Sequence, residues 1–134
     1  MTNKKILVIG ASGFFGSYIS EKLCDLYDNK DITIVGRKSK IWHSKIIKQK
    51  IQNLNLLKYD FSKFKKFDCV IHCAGLHSEK NKTWNDFYNA NALITKKILD
   101  NISFKKLIYI STLSVLSNNK NYKDFPDPSN IYGL

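Results

Sequence analysis

The chain has 134 residues, enough for one domain with a substantial core and too few for two. Hydrophobic residues make up 43% and aromatics 13%, which excludes a disordered chain. The net charge of +11 comes almost entirely from lysines scattered along the sequence, with Arg37 the single arginine. Nucleic-acid sites use arginine forks and stacking aromatics, so this charge reads as a solvated surface and no nucleic-acid partner is expected. The apolar run near the N-terminus is broken by glycine and serine within a few residues, too short for a signal peptide or membrane anchor, so no membrane partner is expected either. Cys24, Cys69 and Cys73 sit in apolar runs without a paired framework, which fits a reducing cytoplasm.

Residues 5–9 (KILVI) are a continuous apolar run, the pattern of a strand buried on both faces of a parallel sheet. Residues 13–27 follow at helical spacing, with Phe14, Tyr18, Ile19, Leu23 and Leu26 as the apolar positions. A second strand is predicted over 32–35, a short helix over roughly 40–50, a third strand over 54–57 and a fourth over 69–73. From Thr83, placed as a cap, to about Ile102, the positions Phe87, Asn91, Ile94, Ile98 and Ile102 trace one face of a long helix. Residues 107–110 form a fifth strand, and a polar, loop-like tract begins after residue 117. Plain apolar strands alternating with helices predict an α/β fold, a single domain over 1–134 with a doubly wound parallel sheet in the order 3-2-1-4-5.

Gly10-Ala-Ser12-Gly13-Phe14-Phe15-Gly16 joins the first strand to the first helix. Gly10 permits the sharp turn, Gly13 lets backbone approach a pyrophosphate, and Gly16 lets the helix pack close to the sheet. The helix end then holds phosphate, so these six named residues are candidate dinucleotide-binding positions. A ribose-binding acid is absent from the end of the second strand; Gly36 stands there, followed by Arg37 and Lys38. A cationic fork in that place favours NADP over NAD. Cys69, His72, Cys73 and His77 resemble a metal set at first sight, but strand alternation points His72 away from the two cysteines, and no metal is expected.

The GxxGxxG spacing resembles the short-chain dehydrogenase/reductase superfamily, and the GFFG ending its extended branch, the NAD(P)-dependent epimerase/dehydratase family that modifies nucleotide sugars. The resemblance recurs down the chain. It implies that Asp60, followed by Phe61, meets the adenine amino group. It also implies that Cys73, Ala74 and Gly75 in IHCAGL line the ribose and nicotinamide side, with Asn91 in the long fourth helix nearby. The fifth-strand segment YISTLSV is similar to the one that ends in the catalytic hydroxyl, here Thr112 with Ser111 beside it. Two departures stand out. Ile94 occupies the family's usual glycine, and residues 114–117 (SVLS) replace its usual Val-Tyr-Gly.

By the same resemblance, Tyr132 matches the catalytic tyrosine. A lysine four places on would lower its pKa from about 10 and let it exchange a proton at neutral pH. That place would be position 136, beyond Leu134. The chain is therefore expected to be a C-terminally truncated, Rossmann-like cofactor half, without the part that encloses the sugar and with weak or no turnover alone. An uncovered fifth strand would be liable to associate. Two rivals remain, a non-catalytic NADP-binding module that acts on a partner and, more weakly, a basic nucleic-acid-binding domain.

Overall fold

The computed structural model describes residues 4–37, 50–77 and 81–112, with Asn29 by its backbone alone. Five strands form one parallel sheet: β1 (Ile6–Ile9), β2 (Ile32–Gly36), β3 (Gln52–Asn53), β4 (Phe67–His72) and β5 (Phe104–Tyr109). Their order is β3-β2-β1-β4-β5, as the alternating pattern predicted. Ile6 pairs with Ile32 on one side and with Cys69 on the other, which sets the register of the central three strands.

All four residues of β1 are buried, and the period-two alternation divides them between two layers. Leu7 and Ile9 join Val35, Val70, Phe61 and Phe67 under Ile94, Ile98 and Ile102. Ile6 and Val8 join Ile34, Ile51 and Ile71 on the opposite face, where Ile19 and Leu23 of helix α1 (Phe14–Leu26) pack. Helices therefore cover both faces of the sheet.

Three elements differ from the sequence reading, each for a physical reason. The buried positions of α1 are Gly16, Ser17 and Ser20, whereas Phe14, Tyr18 and Leu26 are exposed. A helix that starts this close to a sheet can seat only small residues beneath it. β3 comprises only Gln52–Asn53, not 54–57, because Asn55 turns the chain out of the ladder. The Asn55 side-chain oxygen accepts from the Leu57 N–H (3.2 Å), and its carbonyl accepts from the Tyr59 N–H (2.8 Å). The long helix over 84–101 is one continuous run, but its middle is wide: α2 (Trp84–Phe87) passes through a π-helical stretch (Tyr88–Leu93) into α3 (Ile94–Asn101). Thr83 caps it as predicted, accepting from the Asp86 N–H (3.2 Å) while the Asp86 carboxylate accepts from the Thr83 N–H (2.8 Å). The short helix predicted over 40–50 lies outside the described residues, save Lys50.

Ile98 is fully buried between α3 and the sheet, among Leu7, Phe61 and Val70. Ile98→Ala should lower the urea midpoint by an amount equal to roughly 2–5 kcal/mol of stability, with the slope unchanged. A loss under about 1 kcal/mol would show that this face does not carry the core.

Candidate functional site

The turn from β1 into α1 is built on steric necessity. Gly10 has φ +85°, and a Cβ there would run into the backbone of Cys73 and Ala74. At Gly16 a Cβ would strike the Gly10 carbonyl oxygen. The N–H groups of Gly10 and Ala11 both donate to the Val35 carbonyl (3.0 Å each), which fastens the turn to β2. Gly13 is different. A Cβ on it would have Gly10 O at 3.4 Å, ordinary contact, so the described residues around it do not require glycine there. Gly13 caps α1 at the positive end of the helix dipole, and no acidic side chain lies in the first turn.

A cleft of about 640 Å³ opens over this turn, at the carboxyl ends of β1, β2 and β4, within the size range of cofactor sites. It straddles the point between β1 and β4 where the strand order reverses. Gly10, Ser12 and Gly13 form its floor. Gly36, Arg37, Asn53 and the segment 54–57 make one wall; Cys73, Ala74, Gly75, Leu76, Ala90 and Ile94 make the other.

Each wall is tied back. The Ser12 hydroxyl accepts from the Arg37 N–H (3.2 Å), and a Cβ on Gly36 would lie 2.9 Å from both Ser12 N and Ile51 Cδ1. The end of β2 thus has no room for an acidic side chain, and Arg37 is the first residue free of that restriction; it is exposed. On the other wall, Asn91 acts as a bracket. Its Oδ1 accepts from the Leu76 N–H (2.6 Å) and its Nδ2 donates to the Leu76 carbonyl (3.0 Å). Behind it lies His72, fully buried. A backbone N–H can only donate, so the Ala74 N–H (3.3 Å) makes His72 Nδ1 the acceptor. Nε2–H then donates to Thr95 Oγ1 (2.9 Å), whose hydroxyl donates to the Asn91 carbonyl (2.5 Å). This chain requires neutral imidazole, and burial pushes the His72 pKa down to about 4.

The predicted residues divide by position. Gly10, Ser12, Gly13, Arg37, Cys73, Ala74 and Gly75 line the cleft. Gly16 lies buried behind the turn, Phe14 and Phe15 face outward from α1, and Asn91 holds Leu76 from behind the wall. Phe61 is a core residue, and Asp60 caps the short turn Phe61–Lys63, accepting from the Ser62 hydroxyl (2.6 Å) and N–H (3.1 Å). Those bonds hold the Asp60 carboxyl below its usual range. Ser111 and Thr112 follow the end of β5, where the Ile110 N–H still donates to the His72 carbonyl (3.0 Å). Lys38 and Tyr132 lie outside the described residues. The sequence reading missed the wall 53–57, along with Ala90. The signal for that wall was Asn55, a turn-former among leucines. Ile94, singled out as a departure, both packs in the core and lines the cleft.

Cys73 and Cys69 pack on the α1 side of the sheet, opposite His72. Burial pushes the Cys73 thiol up to about 11, so it stays protonated and is no nucleophile at neutral pH. Among the described residues, no group of three or more His, Cys, Asp or Glu could hold a metal ion, and no helix is long and apolar enough to cross a membrane.

The model of the NAD dependent epimerase/dehydratase family matches residues 6–134. The uncharacterized protein MJ1055 of Methanocaldococcus jannaschii is 27% identical, over 90% of this chain and 43% of that protein. Among solved structures, the UDP-glucuronic acid 4-epimerase of Bacillus cereus in complex with NAD superposes with a TM-score of 0.72 at 27% identity, over 96% of this chain and 48% of that one. The UDP-N-acetylglucosamine 4-epimerase of Bacillus cereus does so at 0.68 and 26%, over 97% and 49%. The chain thus spans about half the length of the relatives it matches.

His72 supplies a pH test. Its folded pKa lies below the unfolded value, so the unfolded state binds more protons between about pH 6.5 and 4. Stability is present in full above pH 6.5 and should fall through that window, by an amount of order 3 kcal/mol for this residue. His72→Gln should flatten that segment of the stability curve in urea titrations; an unchanged slope would mean His72 is protonated without cost.

Proposed function

The chain belongs to the NAD dependent epimerase/dehydratase family, and from that premise we propose that it is a nicotinamide-dinucleotide-binding domain that prefers NADP(H) and serves oxidoreduction at a nucleotide-sugar carbon. The observation that carries the binding reading is Gly13. The fold itself demands glycine at positions 10 and 16, whereas at position 13 a Cβ would meet, among the described residues, only the Gly10 carbonyl oxygen at ordinary contact distance. A missing side chain there is explained by a ligand that comes within van der Waals distance of the backbone, and a pyrophosphate at the helix end is that ligand.

The preference for NADP rests on the end of β2. Gly36 is pressed against Ser12 and Ile51, so the acid that would bind a ribose diol is absent and has no space. Arg37 borders the cleft with its backbone tied to Ser12, and its guanidinium can fork onto a 2′-phosphate. The UDP-glucuronic acid 4-epimerase of Bacillus cereus is in complex with NAD, so this preference is a property proposed for this chain.

The fit is supported at both ends of the cleft. The turn over residues 10–13 would hold the pyrophosphate, and Cys73, Ala74 and Gly75, braced by the His72 bond to Ala74 and the Asn91 bonds to Leu76, would line the nicotinamide ribose. The nicotinamide supplies the hydride chemistry when bound. Thr112 would hold the substrate oxygen and Tyr132 would transfer its proton. A nucleotide sugar is the proposed substrate class, after the epimerase relatives.

Thermal melts with saturating NADP+ and NAD+ test this reading. A ligand at a hundred times its Kd adds about 2.7 kcal/mol, a rise of roughly 10 °C for a chain of this size. NADP+ should protect more than NAD+, and Arg37→Glu should reverse the order. Equal or greater protection by NAD+ in the wild type would overturn the phosphate preference. No protection by either would overturn the cofactor reading.

A further inference from the structure

The wall over 54–57 is the least braced part of the cleft by backbone pairing. β3 contributes two residues to the sheet edge, Gln52 opposite Val35 and Asn53 opposite Gly36, and the Leu54 N–H to Gly36 carbonyl bond (3.1 Å) adds one more link. Beyond it the N–H groups of Leu57, Lys58 and Tyr59 bond back to Asn55, which shapes the turn without fixing it to the body of the domain. Such a short edge pairing leaves position weakly specified.

Besides the apolar packing of Leu54, Leu56 and Tyr59 on the core, a polar link to the body comes from Lys97 on α3. Its Nζ donates to the Leu57 carbonyl (2.7 Å) and to the Tyr59 carbonyl (2.9 Å), forty and thirty-eight residues away in sequence. It also lies 5.3 Å from the centroid of the Phe61 ring. Phe61 is almost fully buried, in the same core cluster as Ile94 and Ile98. An ammonium with two carbonyls at this distance makes charge-assisted bonds, stronger than neutral ones, and the ring below adds to its attraction. Leu57, whose carbonyl it holds, borders the cleft together with Leu56.

We propose that Lys97 is a positioning residue for the adenosine half of the dinucleotide: by holding the carbonyls of Leu57 and Tyr59 it fixes the wall against which that half binds. This inference rests on the cofactor reading above. It adds a role for a side chain that touches no ligand and lies on the helix behind the wall. Release of the two carbonyls would let the segment 55–59 move outward, so each binding event would have to order it again.

The test is calorimetric titration of the full chain with 5′-ADP. Lys97→Met keeps the aliphatic stem on Phe61 and removes the donors; it should weaken 5′-ADP by about tenfold or more. Lys97→Arg restores the donors and should bind within about threefold of the wild type. Ile98→Val, one residue along in the core, should lower the melting temperature without changing the Kd, which separates positioning from general stability. Hydrogen exchange without ligand should show faster exchange at 57–59 in Lys97→Met alone. Should Lys97→Met fail to fold, Lys97→Gln is titrated in its place. A folded Lys97→Met with wild-type affinity, or a Lys97→Arg as weak as it, overturns the proposal and leaves the cofactor reading intact. A wild type that takes up no 5′-ADP overturns the proposal, and one that takes up neither 5′-ADP nor NADP+ overturns the cofactor reading as well.

Discussion

Two backbone approaches, Gly10 against Ala74 and Gly16 against the Gly10 carbonyl, set the distance between α1 and the carboxyl ends of β1 and β4. That distance decides what else is possible. Because the helix starts so near the sheet, its buried face is made of Gly16, Ser17 and Ser20, and its large aromatics are turned out to solvent. Because its positive end lies over the strand-order reversal, a cleft with an anion-attracting floor arises there without any charged side chain in the first turn. The Val35 carbonyl, accepting from two successive N–H groups of the turn, extends the same constraint to β2 and so to Gly36 and Arg37.

The two walls are held by different chemistry. The wall from β4 is braced by a neutral relay from the buried His72 through the half-buried Thr95 to Asn91, satisfied at each step, the arrangement in which polar groups add rigidity. The wall after β3 has little ladder behind it and depends on apolar packing of Leu54, Leu56 and Tyr59 together with the ammonium of Lys97. The chain thus uses a hydrogen-bonded brace on the proposed nicotinamide side and, among the described residues, an ammonium tether behind the proposed adenosine side.

Much of this was legible from local pattern. β1, the glycine turn, the strand order and the Phe87–Ile94–Ile98–Ile102 stripe each carry a periodic or steric signature within a few residues, and the structure has them where the sequence put them. What escaped depends on long-range packing. Leucines at 54, 56 and 57 read as strand, but the Asn55 side chain competes for the backbone and converts them into a turn. The helical spacing of Phe14, Tyr18 and Leu26 was real, but close packing selects for size as well as period. Asp60 and Asn91 were assigned to the ligand by resemblance; the bonds that their oxygens accept from the Ser62 and Leu76 backbone carry no sequence signal of their own. Lys97 was hidden among many lysines, since nothing local separates a tether from a solvated surface charge.

The central claim is that position 13 is glycine for the sake of a bound pyrophosphate. Its backbone (φ −79°, ψ 174°) is open to any residue, so Gly13→Ala should cost the fold no more than about 1 kcal/mol. Binding of NADP+ to that variant, measured by calorimetry beside a melt of the same sample, tests it most directly. The account predicts a folded protein whose affinity has dropped by about a hundredfold, since a methyl group would hold the phosphates off the turn. A folded Gly13→Ala that binds as the wild type does would contradict it.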